Sequence, residues 1–382
     1  MRHMGVLGGT FDPVHWGHLY LAEEAARFFS LDKVILCPAG NPPHKENVCA
    51  SPKARLKMCR LACAGREKLA VSDADMREGK TSYTASLMKR LCREYPDTKF
   101  YFIIGADKLQ KLHMWHKAEE LFKLCDLIVC PRTGEEVIRN PEAEKMGARI
   151  HVMEAAEFPG ASRDVRGMLA RWESPDTVPE PVLAYIAVHN LYTEDLLPRL
   201  RSMMNAHRYT HTLGVRDAAV ILAQRFRVPV MQAALAALLH DCAKGMSTRE
   251  LREIALREQL TDDDEILSSG AMLHGIVGAY LAKSLFGVTD EAVLSAIRYH
   301  TMGKRDMTDL ELCIFVADAI ESNREPYPGL ENIRKAAETS LAEAALLSLY
   351  GTRDYVLSQG KEFIGKSYET MRDLEARTEN KE

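Results

Sequence analysis

The sequence lacks what marks several large classes of protein. No apolar stretch is long enough to cross a bilayer, the longest candidate being Ala233 to Leu239, and nothing at the N-terminus reads as a secretory leader, so neither a membrane nor a secreted protein is expected. There is no long basic run. With 50 Lys and Arg against 54 Asp and Glu, the net charge of −4 argues against a nucleic-acid partner and leaves small phosphorylated ligands open. The 9 cysteines contain no Cys-x-x-Cys pair, and Cys37, Cys130 and Cys313 sit in apolar runs as reduced, buried thiols, the usage of a cytoplasmic protein. Also missing are the Gly-Lys-Ser/Thr of a P-loop and the Gly-x-Gly-x-x-Gly of a dinucleotide fold.

What is present begins with Gly8 to His18, Gly-Gly-Thr-Phe-Asp-Pro-Val-His-Trp-Gly-His, between the apolar run Met4 to Leu7 and the helical pattern Leu19 to Phe29. That is a strand, a glycine turn and a helix start. Gly8 and Gly9 let a phosphate chain lie on their backbone amides, at the positive end of the following helix. His15 and His18 offer N–H donors there, and charge when protonated, where negative charge builds up in phosphoryl or nucleotidyl transfer. A metal pair or two surface imidazoles would share the spacing, but no third ligand lies nearby.

At 382 residues the chain exceeds one ordinary core, and two domains are expected. Up to about Tyr192, strand-like runs at Lys33–Cys37, Leu69–Val71, Lys99–Ile104, Leu127–Cys130 and Ile150–Met153 alternate with helical patterns. Such alternation implies an α/β domain with a parallel sheet, whose ligands sit beyond the carboxyl ends of the strands. The segments following those runs carry candidate groups. The rigid loop Pro38 to Lys45 ends in His44 and Lys45, donors for a phosphate or simply the end of a solvated polar loop, and Ser82-Tyr83-Thr84 opens a helix as an N-cap stretch, with Thr84 in its first turn. Gly105-Ala106-Asp107 places a carboxylate at the sheet edge, for ribose hydroxyls or as an ordinary helix cap, and the Trp115 indole suits stacking on a base or a pyridine ring as well as a place in the core or an interface. Ser162 is positioned as a cap ahead of the helical pattern Gly167 to Trp172, and Arg166, one turn on, can pair with a leaving pyrophosphate.

Around Thr193 to Pro198 the strand signal stops, which places a linker there and divides the chain into domains at 1–193 and 198–382. The second half reads as all-α, with helical patterns at Leu200–Phe226, Val230–His240, Thr248–Gln259, Leu273–Phe286, Glu291–His300, Leu310–Ser322 and Leu330–Tyr350, and a last helix grading into a frayed charged tail, Glu375 to Glu382. The buried-looking run Ala233 to Leu239 ends in His240-Asp241, and Asp318 interrupts Ile314 to Ala317. A carboxylate in such surroundings is costly unless a cation compensates it. His211, His240, Asp241, His274, His300 and Asp318 form a donor set without thiolate, suited to iron, manganese, cobalt or another first-row ion, and large enough for two ions sharing Asp241.

The Gly8 to His18 stretch, with Thr10 and Phe11 inside it, resembles the signature of the (T/H)xGH nucleotidyltransferases, and in its full form that of bacterial nicotinate-nucleotide adenylyltransferases. That resemblance implies a Rossmann-like domain that transfers the adenylyl group of ATP, with Mg2+ on the phosphates, to nicotinate mononucleotide. ATP would meet Gly8, Gly9, Thr10, Phe11, His15, His18, Gly105, Asp107, Ser162 and Arg166, and the mononucleotide His44, Lys45, Tyr83, Thr84 and Trp115. His15, His18, Lys45 and Arg166 would carry the catalysis. The second half resembles the HD superfamily of phosphohydrolases, and more narrowly the symmetrical diadenosine tetraphosphate hydrolases, at Arg208–Val215, Leu239–Lys244, His274–Tyr280, Ile297–Thr301 and Ala317–Glu321. This implies metal-assisted cleavage of diadenosine tetraphosphate to two ADP, with Asp241 and Lys244 in the reaction and Lys244, Arg298 and Arg324 on the polyphosphate. Rivals are another mononucleotide, nicotinamide mononucleotide, for the first half, and a different nucleotide phosphohydrolase or a nucleotide-sensing role without turnover for the second. A homo-oligomer is compatible with the sequence.

Overall fold

The computed structural model of the chain describes residues 1–42, 48–76, 81–131, 134, 136–154, 161–193 and 196–379. Two compact units are distinguished, Met1–Leu169 with Pro175–Val182, and Ala170–Ser174 with Leu183–Glu382.

In the first unit the chain runs through β1 (Arg2–Gly9), α1 (Trp16–Phe28), β2 (Lys33–Pro38), α2 (Pro52–Cys63), β3 (Leu69–Val71), α3 (Thr84–Glu94) and β4 (Thr98–Gly105). It continues through α4 (Ala106–Leu109), α5 (Ala118–Leu124), β5 (Asp126–Cys130), α6 (Pro141–Lys145), β6 (Ile150–Val152) and α7 (Ser162–Ala170). All pairings are parallel, in the order β3-β2-β1-β4-β5-β6. The order reverses between β1 and β4, so a crevice opens at the carboxyl ends of those strands, where such sheets bind ligands. Strand interiors such as Val6, Ile35, Phe102 and Leu127 are buried, as expected of a sheet covered on both faces.

After α8 (Glu180–Val188) the described chain is helical: α9 (Leu197–Met203), α10 (Ala206–Phe226), α11 (Val230–Leu239), α12 (Thr248–Arg257), α13 (Asp264–Leu267), α14 (Gly270–Phe286), α15 (Glu291–Tyr299), α16 (Asp309–Ile320), α17 (Leu330–Ala336), α18 (Leu341–Ser358) and α19 (Gly365–Glu379). In the second unit α10 packs on α11 and α16, and α15 lies against α11, α14 and α16. No described helix is long and apolar enough to cross a membrane.

Three expectations are corrected. The helix expected over Leu200–Phe226 begins at Ala206, because Asn205 caps it by accepting the Arg208 N–H at 2.9 Å. That expected over Leu330–Tyr350 is two helices, the second capped by Ser340. The expected frayed tail is helical through Glu379, since Tyr350 Oη donates to Glu375 (2.7 Å) and Arg377 to the Met307 carbonyl (2.9 Å). Residues 380–382 lie outside the described set.

Candidate functional sites in the two units

At the first site the turn leaves β1 through Gly8 and Gly9. Both positions are tight: a Cβ would lie 3.0 Å from the Phe102 ring at Gly8 and 3.0 Å from the Phe11 ring at Gly9, so the ring would have to yield. Thr10 and Phe11 are buried beneath the turn, with Phe11 edge-on to His18 at 4.9 Å between centroids. His15 and His18 form a capping box at the start of α1, their rings 3.8 Å apart. In it the His15 backbone N–H donates to His18 Nδ1 at 3.3 Å. With Nδ1 accepting, a neutral His18 carries its proton on Nε2, which makes Nε2 a donor toward a ligand.

The turn is held from three sides. Asp12 takes the backbone N–H groups of Cys49 (2.9 Å) and Ala50 (3.1 Å) on its carboxylate. Arg166 Nη1 donates to the Asp12 carbonyl at 2.7 Å, so α7 is pinned to the turn. Ser162 is the first residue of α7 and not its cap, and its hydroxyl donates to the Pro13 carbonyl at 3.4 Å. Arg55, 1 % exposed, donates to the carbonyls of Thr10 (2.8 Å), Ala50 (3.1 Å) and Gly40 (3.4 Å). Sequence reasoning missed Arg55, yet a signal existed: it shares the buried stripe of α2 with Met58, Cys59 and Ala62, where a lone charge needs a reason.

A cavity of about 280 Å³ opens at the carboxyl ends of β1, β2 and β4, and Gly8, Gly9, Thr84, Gly105, Asp107 and Trp115 all line it. Trp115 also packs edge-on against Phe102 at 6.3 Å. Asp107 pairs with Lys108 at 2.6 Å. Tyr83 does not line the cavity and stacks instead on His116, at 4.2 Å. Ser82 is not the cap of α3: that position belongs to Tyr83, and Ser82 Oγ accepts the Asn41 N–H at 3.1 Å because the two loops meet there. Asp75, also missed, lines the same cavity; burial raises its carboxyl despite bonds from Ser82 and Arg90. His44 and Lys45 lie outside the described residues.

The second unit brings all six expected donors together from five helices. His240 follows α11 and His300 follows α15 as their closing residues, and each ring sets Nδ1 against the carbonyl three residues earlier, Ala237 (2.6 Å) and Ile297 (2.7 Å). That bond assigns the proton to Nδ1 and leaves Nε2 as a lone pair. His211 Nε2 lies 3.0 Å from Asp318 Oδ1. Asp241 turns Oδ1 to His274 Nε2 (3.2 Å) and His300 Nε2 (3.6 Å) and Oδ2 to His240 Nε2 (3.8 Å), a bridging disposition. Two groups of donors converge within 4.8 Å, His211 with His240 and Asp318, and His240 with Asp241 and His300. His240 Nε2, in a fully buried ring, has no hydrogen-bond partner among the described residues. A buried lone pair aimed into carboxylates and imidazoles is what a cation would satisfy, so the residues fit a metal.

The electrostatics agree. Burial pushes His240 and His274 down to about 4, keeping them in the neutral, ligating form. Burial would lower His211 too, but Asp318 and Glu321 outweigh it and raise this imidazole. Burial would raise Asp241, but His240, His274, His300 and Lys244 hold it well below its ordinary value. Of the expected cations, Lys244 Nζ lies 3.4 Å from both Asp241 Oδ1 and His274 Nε2, and Arg324 grips Asp318 Oδ1 at 2.8 Å. Arg298 is exposed, with no hydrogen bond or ion pair to a described residue. Arg208, unassigned from sequence, stands one turn before His211 with Nη1 buried, without a hydrogen bond and 3.9 Å from Asp241.

Comparison with known proteins matches both units. Residues 6–173 fit the family described as Cytidylyltransferase-like and residues 208–323 the HD domain. A Mycoplasma genitalium protein named "Probable nicotinate-nucleotide adenylyltransferase/Ap4A hydrolase" is 31% identical over 350 residues, 90% of this chain and 96% of its own length. A Synechococcus sp. "Probable nicotinate-nucleotide adenylyltransferase" is 42% identical over 199 residues, covering 50% of this chain and 96% of itself. A solved structure from Clostridium acetobutylicum, described as a predicted HD superfamily hydrolase involved in NAD metabolism, is 37% identical with a TM-score of 0.46, covering 48% of this chain and 96% of that one.

Proposed function

We propose, from the premise that the chain belongs to the family of nicotinate-nucleotide adenylyltransferase/Ap4A hydrolases, that it is a cytoplasmic bifunctional enzyme. The part spanning 1–193 makes deamido-NAD and pyrophosphate from ATP and nicotinate mononucleotide, and the part spanning 198–382 cleaves diadenosine tetraphosphate into two ADP. The observation that carries the reading is the pairing, in one chain, of a glycine–histidine turn opening into a crevice with a buried imidazole–carboxylate cluster.

In the transfer reaction the attacking phosphate is already ionised, so no side-chain base is required and positioning does most of the work. Gly8 and Gly9 present backbone amides, His15 and His18 donate to the phosphates between nucleophile and leaving group, and Arg166 and Lys45 neutralise developing charge. Trp115 stacks on the pyridine ring and Asp107 accepts from ribose hydroxyls, while His44 and Thr84 complete the mononucleotide side and Tyr83 stays stacked on His116. Magnesium on ATP supplies charge neutralisation.

In the hydrolysis His211, His240, Asp241, His274, His300 and Asp318 would hold two first-row ions, iron foremost for an all-nitrogen-and-oxygen set, and these supply Lewis acidity and a nucleophilic water. Lys244 and Arg324 sit at the cluster, and with the exposed Arg298 they would neutralise neighbouring phosphates. Where the pocket seats an ADP moiety with its terminal phosphate at the cluster, both products are ADP.

The purified chain offered ATP with nicotinate or nicotinamide mononucleotide, and separately a panel of dinucleoside polyphosphates, tests both halves by product identity. Nicotinate mononucleotide should give the higher kcat/KM, because a polar pocket built for a carboxylate rejects the neutral isostere. Equal values, or AMP plus ATP as first hydrolysis products, would overturn the corresponding half.

A further inference from the structure

We propose that Glu321 is a positioning residue for the metal centre: its carboxylate orients His211 through Nδ1 and strengthens it as a ligand, and Gly214 keeps open the slot in which that carboxylate sits. This rests on the reading of the cluster as a metal site and deepens it.

His211 is the one cluster imidazole placed between two carboxylates. Nδ1 lies 3.1 Å from Glu321 Oε1, and Nε2 lies 3.0 Å from Asp318 Oδ1 on the opposite side. Donating Nδ1–H to Glu321 leaves Nε2 to present its lone pair to the centre, and an imidazole bound to a carboxylate is more basic than one bound to a carbonyl. His240 and His300 have only carbonyls behind them, so His211 is the strongest nitrogen donor of the three.

Glu321 is built into place. It is 2 % exposed, its Oε2 accepts the Asn323 backbone N–H at 2.6 Å, and its own carbonyl accepts from Arg334 Nη2 at 3.2 Å. A buried carboxylate is costly, and among the described residues no lysine or arginine pairs with this one, so it is retained for what it does to His211.

The slot is cut by a glycine. Gly214 lies one turn beyond His211 inside the 21-residue α10, and a Cβ there would overlap Glu321 Oε2 and approach Asn323 Nδ2 to 2.9 Å. Glycine inside a helix costs about 1 kcal/mol against alanine. At this position the room it leaves accounts for its presence.

The test is a Co2+ titration of the metal-stripped full-length chain, followed by visible absorption, with thermal unfolding of the metal-free forms alongside. Glu321→Gln should raise the Co2+ dissociation constant about 10- to 100-fold and alter the absorption spectrum. Gly214→Ala, which leaves the carboxylate intact but displaces it, should shift both in the same direction, and Glu321→Asp should recover part of the loss. Adenylyl transfer, carried by the other unit, should be unchanged, and the thermal unfolding of the metal-free forms reports that the second unit of each variant is folded. Wild-type Co2+ affinity and spectrum in both Glu321→Gln and Gly214→Ala, with tight binding by the wild type, would overturn the positioning role alone. Absence of Co2+ binding by the wild type would instead remove the metal reading and the inference with it.

Discussion

Arg55 shows how far from a reacting atom a single side chain can govern a site. Its guanidinium satisfies carbonyls from the Gly8–His18 turn, the loop after β2 and the start of α2. Arg55→Met should leave those buried acceptors bare, destabilise the first unit by about 2–4 kcal/mol and lower kcat for adenylyl transfer by about 100-fold through misplacement of His18. Hydrolysis, measured on the same preparation, should hold at its wild-type rate; parallel loss of both would refute a local role. Asp126, at the opposite end of the sheet, illustrates a purely structural charge. It is 1 % exposed and meets Lys99 (3.0 Å), Arg149 (2.5 Å) and His151 (3.1 Å). Burial alone would raise its carboxyl, but the bonds from Lys99, His151 and Arg149 hold it below its ordinary value. A carboxyl depressed in the folded state adds stability that is complete above its unfolded value of about 4 and is lost as pH falls toward the native one. Asp126→Asn should therefore cost about 1–3 kcal/mol at pH 7, with the gap in urea midpoint from wild type closing toward pH 3. A pH-independent gap would show that packing, and not charge, is what Asp126 provides.

Among the elements, β1 and β4 do most to shape the first site, because their reversal of strand order creates the crevice. Their fit is close: Gly8 faces the Phe102 ring, and that ring buttresses Trp115. Gly8→Ala should push Phe102 against Trp115 and raise KM for both nucleotides about 10-fold, with a stability loss of about 1–3 kcal/mol from overpacking. Unchanged KM values in isothermal kinetics would mean that the ring yields at no cost. In the second unit the ends of α11 and α15 matter more than their lengths. A histidine closing a helix finds a carbonyl three residues back for Nδ1, so chain geometry alone aims Nε2 of His240 and His300 into the cluster. Helix breaks at Asn205 and Ser340 were harder to read from the pattern, because each separates two helical stretches and is marked locally by a polar residue capping the second.

For the whole molecule the expectation is two activities that separate. His18→Ala should abolish adenylyl transfer and leave hydrolysis, and Asp241→Ala the reverse, since their residues belong to different compact units. Loss of both activities in either folded variant would reject independent sites. Early hydrolysis in heavy-oxygen water should place one label on one of the two ADP molecules. Activity unaffected by stripping the metals would remove the proposed hydrolytic chemistry.

The sequence by itself determined the two classes of architecture and the six-donor cluster. Strand–helix alternation, a dense phosphate-turn motif and polar residues interrupting apolar helices are local patterns, each visible within a dozen residues or so. Gly8, Gly9, Gly105 and Asp107 were likewise legible, because residues at or just past the ends of parallel strands share one edge. What only the tertiary structure decided are the supports: Arg55 under the turn, Ser82 spent on Asn41, Tyr83 turned to His116, Glu321 behind His211 and Gly214 making room for it. Partners 110 residues apart, as His211 and Glu321 are, leave no periodic trace in a single chain, since hydrogen bonds and close contacts depend on distance in space and not on spacing along the sequence.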